Sequence, residues 1–263
     1  FSLMHKIMHW FYEGTNLKQI LTNLPKFLNF CQKTQNQAAV DVMIGYRLVI
    51  HNLCGLTTDK QSFHTDSLGE AQFLKKCHTH HSTMALCVYQ ILKSQMLYLY
   101  DMPAESLRCL LDADLYRDTI TSIITRVEHN FYYSLSLAAL IPKVSEEERK
   151  QYWVQLQNNQ KHMKIWAENC PENFRHKYLL IQAEEARLRE DPFAAMQLYK
   201  QAIQVAKDHE FVHDKALAYE LTARFYVENG FEEFAKLYLM KAHGNYTLWG
   251  ATRKVEELAE KYS

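Results

Sequence analysis

The sequence predicts an all-α chain, an α-solenoid of stacked antiparallel helical hairpins, on three observations. Apolar residues recur three and four positions apart along most of the chain, the period of a helix face. Seven Gly and five Pro in 263 residues leave little material for the many turns of an all-β fold. Small side chains recur at fixed intervals in the last third, where closely nested helices need them.

Taken from the N-terminus, Leu17, Ile20, Leu21 and Leu24 mark one amphipathic helix, and Leu48 and Leu53 lie on another over 40–56. The stretch 55–67, rich in Thr, Asp, Ser and Gln, reads as a long loop and a soft boundary. Leu86, Tyr89, Leu92 and Leu97 define the next helix. Its partner starts near Pro103, with Ser106 and Ala113 as the small positions. Ile123, Val127, Phe131 and Leu135 follow at helical spacing, and a second soft boundary falls near 142–145. Ser145 with Glu148 three residues on is a capping box that satisfies the free amides heading a helix over 146–170. Pro171 and Pro192 stand where helices begin, because a missing N–H costs nothing in a first turn. The expectation is about a dozen helices in one continuous array over 1–263, with no low-complexity linker.

The last hairpin, 217–246, places Ala223, Tyr226, Gly230, Ala235 and Ala242 in a characteristic order. Alanines at the crossings let two helices approach, Tyr226 fills the space beside them, and Gly230 takes the left-handed conformation that closes the first helix. The preceding hairpin repeats the frame with Ala183, Ala186, Ala195, Tyr199 and Ala202, turning at Asp191-Pro192. Ala195 and Ala235 are one period apart, about 40 residues against roughly 34 in the standard tetratricopeptide repeat. The extra residues lie in 208–214. A weaker third copy runs over 84–113, with Leu97 in place of the aromatic. The arrangement is tetratricopeptide-like, a unit whose usual surface binds proteins.

Lys plus Arg and Asp plus Glu balance at 30 each, so no global field draws nucleic acid. No apolar run reaches the roughly 18 residues that span a bilayer. The expectation is a soluble, cytoplasmic, non-enzymatic chain with no cofactor, no membrane insertion and no nucleic-acid partner. Phe1, with an apolar helix already under way, suggests a fragment of a longer polypeptide. Cys31, Cys54, Cys77, Cys87, Cys109 and Cys170 are widely spaced without a C-x-x-C pair and read as small core residues of a reducing compartment.

Three groups of residues have the chemistry of metal ligands. His209, Glu210 and His213 spell H-E-x-x-H, in which two imidazoles on one helix face hold zinc and the Glu activates water. That chemistry needs an unbroken helix, and the repeat phase puts a turn here. Cys77, His78, His80 and His81 crowd one thiol and three imidazoles into five residues of an expected solvated turn. His5 and His9 lie four apart on the first helix. Phosphate-binding, nucleophile-elbow and kinase motifs are missing, and the Glu146–Glu148 and Glu184–Glu185 runs read as solvated helix faces.

The runs MALCVYQILKSQMLYLY (84–100), EHNFYYSLSLAA (128–139), MKIWAENCPENF (163–174) and WGAxxKVE (249–256) together resemble one family. It is the tetratricopeptide-like helical region of the large bacterial multi-sensor signalling kinases. There a serine/threonine-kinase-like domain precedes a STAND-type ATPase, the helical region, commonly a GAF sensor, and a histidine kinase. The resemblance departs at His209 and His213, and no catalytic residue transfers to this chain. It implies a regulatory arm that follows the ATPase and contacts ATPase, kinase or sensor domains, or a protein or peptide trigger. Two other readings stand beside it: a passive scaffold that spaces domains or forms a homodimer, and a zinc-dependent hydrolase built on His209, Glu210 and His213. A ligand-sensing array watched by Trp10, Trp153, Trp166 and Trp249 is a further variant.

Overall fold

The computed structural model describes residues 3–120 and 124–262; of the positions used above, Phe1 and Ile123 lie outside them. The described residues form an all-α protein with thirteen α-helices: α1 Leu3–Glu13, α2 Leu17–Lys33, α3 Gln37–Leu53, α4 Glu70–Thr79, α5 Thr83–Leu99, α6 Pro103–Asp114, α7 Thr125–Leu140, α8 Glu146–Asn169, α9 Pro171–Leu188, α10 Pro192–Asp208, α11 Val212–Glu228, α12 Glu232–Trp249 and α13 Thr252–Tyr262. The sheet content is one two-residue hairpin, β1 His64–Thr65 with β2 Leu68–Gly69. The chain parts into two compact units, 1–129 with 249–263, and 130–248.

One device ends most helices. Gly14, Gln35, Gly55, His81, Asp101, Glu190, Glu210, Gly230 and Gly250 all have positive φ. After them a backbone N–H reaches the carbonyl five residues back: Asn36 to Cys31 at 2.9 Å, Ser82 to Cys77 at 2.9 Å, Asp191 to Ala186 at 3.0 Å, Phe211 to Ala206 at 3.0 Å and Phe231 to Tyr226 at 2.8 Å. This is the left-handed closure that satisfies a helix's last carbonyls. Helix starts use side chains, with Asn16, Asn36 and Asp191 accepting from the amides of Lys18, Ala39 and Ala194. The capping box at Ser145 and Glu148 is present, and Pro171 and Pro192 open α9 and α10.

In the first unit α3 and α5 are the central helices, packed against one another. Thirteen of the seventeen residues of α5 are buried, so it is apolar nearly all round, as an interior helix must be. Gly45 of α3 sits where a Cβ would lie 3.5 Å from Phe73 and Tyr89, at ordinary contact distance. The α5–α6 pair is the anticipated third hairpin, with Leu97, Ser106 and Ala113 buried. The 55–67 stretch is a loop only as far as β1 at His64–Thr65, and it is held from inside: the Asn52 amide donates to the carbonyls of Asp59, Lys60 and Ser62, and Arg253 donates to the carbonyls of Asn52 and Thr57. Trp249 packs on Phe11 with the rings tilted, centroids 5.8 Å apart. Lys254, fully buried, bonds the Leu99 carbonyl and Glu257. The closing WGATRKVE run is therefore a clasp on the first helices.

The second unit contains most of α7 and then α8 to α12, with α8 packing on α9, α9 on α10, and α10 on α11. Residues 142–145 are a short 3-10 turn and the α8 cap. The crossing residues Ala183, Ala195, Tyr199, Ala202, Ala223, Ala235 and Ala242 are buried. Two sites differ from expectation. Ala186 is only half-buried, and Tyr226, expected to fill the space beside the crossing alanines, is only half-buried there, packed against Phe234 and Tyr238 of α12. The buried rings of that hairpin are Phe225 and Tyr246, and Tyr246 faces inward because its hydroxyl has an acceptor there.

Candidate interaction surface

The H-E-x-x-H run does not occupy one helix. His209 caps the end of α10 and is exposed, Glu210 has φ +61, Phe211 caps the start of α11, and His213 is buried on the new helix. The left-handed closure at Glu210 separates the two imidazoles that zinc would need on one face. His213 instead joins an interior group. The Asp214 carboxylate accepts from His176 Nε2 and Lys177 Nζ, each at 2.8 Å, with His213 Nε2 3.6 Å from its other oxygen. Phe211 stacks on the His176 ring at 4.6 Å and Lys177 lies over Phe131 at 4.6 Å. Burial pushes the Asp214 carboxyl up, but His213, Lys177 and His176 more than offset it and hold it well below the carboxylate range. Burial pushes His213 down to about 4 and lowers His176 as well. The group ties α9 to α11 and is closed to solvent.

The second candidate is only partly a turn. Cys77 and His78 lie in the last turn of α4, with Cys77 fully buried; His80 and His81 form the closure after it. The solvated turn expected there covers the last two histidines alone, because Phe73 and Cys77 anchor the helix into the core. His80 Nδ1 lies 2.9 Å from the buried Asp41 carboxylate, which also accepts from Ser82 and Gln37. Since Asp41 stands between Ser82 and His80, the imidazole is not placed to take the serine proton, and the trio lacks the order of a nucleophilic relay. Burial pushes the Cys77 and Cys87 thiols up to about 12, and Cys54 and Cys109 to about 11. These are the properties of inert packing thiols. Among the described residues no three His, Cys, Asp or Glu side chains form a set able to hold a metal ion. His9 pairs with Glu13 on the surface of α1.

A repeated interior tie escaped the sequence reading. In the α9–α10 hairpin the buried Glu184 accepts from Tyr199 Oη and from Arg187 at 2.7 Å. In α11–α12 the buried Glu220 accepts from Tyr246 Oη at 2.9 Å and Arg224 at 2.6 Å. Each first helix thus holds its partner through a carboxylate, a tyrosine and an arginine, charge-assisted bonds in a dry interior. The signal available was a Glu followed three or four residues later by Arg on both first helices.

With those faces turned inward, each first helix leaves a half-buried row outward. On α9 it is Tyr178, Gln182 and Glu185; on α11 it is Lys215, Tyr219 and Tyr226. Burial raises the Glu185 carboxyl, with Arg189 pulling it back. Tyr226 stacks on Phe234 at 5.5 Å and meets Tyr238 at 5.4 Å, and Tyr219 meets Tyr238 at 6.0 Å. Lys241 lies over the Tyr219 and Tyr238 rings. Of the tryptophans, Trp249 is core, while Trp10, Trp153 and Trp166 are half-buried. No described helix is long and apolar enough to cross a membrane.

The family described as CHK1-like, TPR repeats matches residues 72–236, well over half of the chain and the span from α4 into α12. No curated protein and no solved structure matches.

Proposed function

The chain belongs to the CHK1-like TPR-repeat family, and from that premise we propose that it is a non-catalytic, cytoplasmic interaction arm of a larger signalling kinase with an ATPase module. Its repeat hairpins hold a protein segment or a neighbouring domain of the same polypeptide. The observation that supports this best is the pair of outward rows, Tyr178-Gln182-Glu185 on α9 and Lys215-Tyr219-Tyr226 on α11. Tyrosines on rigid helices give large contact area at low entropic cost, and amide, carboxylate and ammonium groups between them set orientation. Glu185, already partly desolvated, suits a basic residue of the partner. A contact made in only one of two states of the parent shifts their balance, and a few kcal/mol of differential contact suffices.

The test uses the full polypeptide. Residues 1–263 are deleted, or Tyr219→Ala is combined with Glu185→Ala, and nucleotide hydrolysis and phosphoryl output are measured with and without stimulus. The reading expects both changes to uncouple output from stimulus. Output unchanged by the deletion, in the presence and absence of stimulus, would remove the regulatory role.

A further inference from the structure

Helix α12 has a second apolar face. Its inner face is Ala235, Ala242, Tyr246 and Trp249, all buried. On the outside lie Phe234, Leu237, Lys241, Gly244 and Leu248, at spacings of three, four, three and four. That alternation is the seam of one helix packed along another. Phe234 is 54%, Leu237 47% and Leu248 66% exposed, and Met240 and Phe231 beside them are 73% and 53% exposed. Taking roughly 200 Å² for a large apolar side chain, these five leave about 600 Å² of apolar surface, the upper end for a monomer. With a polar rim it meets the ~800 Å² per partner of a stable interface.

Gly244 sharpens the case. Glycine lowers helix stability in mid-helix, and a Cβ added at this position would meet nothing within 4 Å in this chain. Its use is a close approach from outside. We infer that α12 pairs antiparallel with α12 of a second copy, about a two-fold axis at Lys241. The stripe is then self-complementary, as a two-fold contact requires. Phe234 lies beside Leu248 of the second copy, and Leu237 enters the gap left by Gly244 of the second copy. Lys241, at the centre, would face its own copy. Its Nζ lies 5.0 Å from the Tyr238 ring centroid and 5.6 Å from that of Tyr219, drawn off the axis. A polar residue in such a seam fixes register and partner number. This inference does not depend on the regulatory role proposed above.

Sedimentation equilibrium of the 1–263 chain between about 1 and 100 µM, where micromolar interfaces populate, tests it. The wild type is expected to dimerise, and Leu237→Glu and Gly244→Leu to weaken association at least about tenfold, with unchanged helicity by circular dichroism. Both sites are exposed, so loss of folding is distinguishable from loss of pairing. Mixing a Leu237→Cys chain with a Gly244→Cys chain under mild oxidation is expected to give a 237–244 link, located by peptide mass. A wild type that stays monomeric at the top concentration overturns the inference. So does a dimer that withstands Gly244→Leu, or 237–237 links in place of 237–244.

Discussion

Acid should loosen the second unit through His213 and His176. His213 has a folded pKa near 4 against 6.5 in the open chain, and burial is the first cause. Its neutral form is favoured in the folded state, so the unfolded chain binds the proton first as pH falls. The corresponding stability is complete above pH 6.5 and is lost as pH drops toward 4. The displacement is worth about 3 kcal/mol at full extent, with a slope of up to ~1.4 kcal/mol per pH unit. His176, also lowered by burial, adds a slope of the same sign. Asp214 acts elsewhere: its carboxyl is held below the ordinary range, so its contribution is present above about pH 3.8 and is lost only below it. The assay is urea unfolding in steps from pH 7.5 to 4.5. His51 and His129 are lowered too, so the informative quantity is the difference between wild type and His213→Gln. The variant should lose about one proton's worth of slope. Parallel curves for the two proteins would refute the claim that His213 is held neutral by its surroundings.

Turn closure gives a pair of opposite effects: Gly230→Ala should cost about 1 kcal/mol and Glu210→Gly should add about 0.5 to 1 kcal/mol, read from denaturant midpoints, because only the first forces a Cβ into left-handed backbone. Ala195→Leu inserts three carbons at a fully buried crossing and should cost about 1 to 3 kcal/mol in the same measurement. Tyr246→Phe leaves one oxygen of the interior Glu220 without its hydroxyl donor and should cost about 1 to 3 kcal/mol, where an equal replacement at half-buried Tyr226 costs less. Calorimetric titration with zinc should show no tight stoichiometric site that disappears in His209→Ala, since the two imidazoles of the motif sit on either side of a helix end.

The hairpins and most of their crossing residues were legible because helix period, Pro at helix starts and small residues at contacts are local signals. Asp191-Pro192, Ser145 with Glu148, and the alanines of α10 and α12 each carry their reason within a few residues. Tyr226 is only half-buried because the two hairpins choose their buried tyrosine by an acceptor: Glu184 takes Tyr199 and Glu220 takes Tyr246. Those partners lie 15 and 26 residues apart, beyond any window of periodicity. The turns beside Asp191-Pro192 and within 208–214 were legible, but not that Glu190 and Glu210 take the left-handed positions there, since a non-glycine in that backbone leaves no compositional mark. The clasp of Arg253 and Lys254 on the first unit spans 155 to 201 residues of separation and is a tertiary fact. The resemblance included Trp249 and Lys254 but not Arg253, and the packing explains why these residue types occur together.

The left-handed closures have a bearing on how such chains diverge. Each joint is sealed by main-chain groups, so the identity of the residue there can drift from glycine to glutamate, aspartate, glutamine or histidine for about a kcal/mol or two, while the hinge stays put. Mutation can rewrite the letters at these corners and keep the geometry. A lineage built this way would preserve the spacing of its rods long after pairwise likeness has faded, and its members would be recognised by rhythm more readily than by spelling.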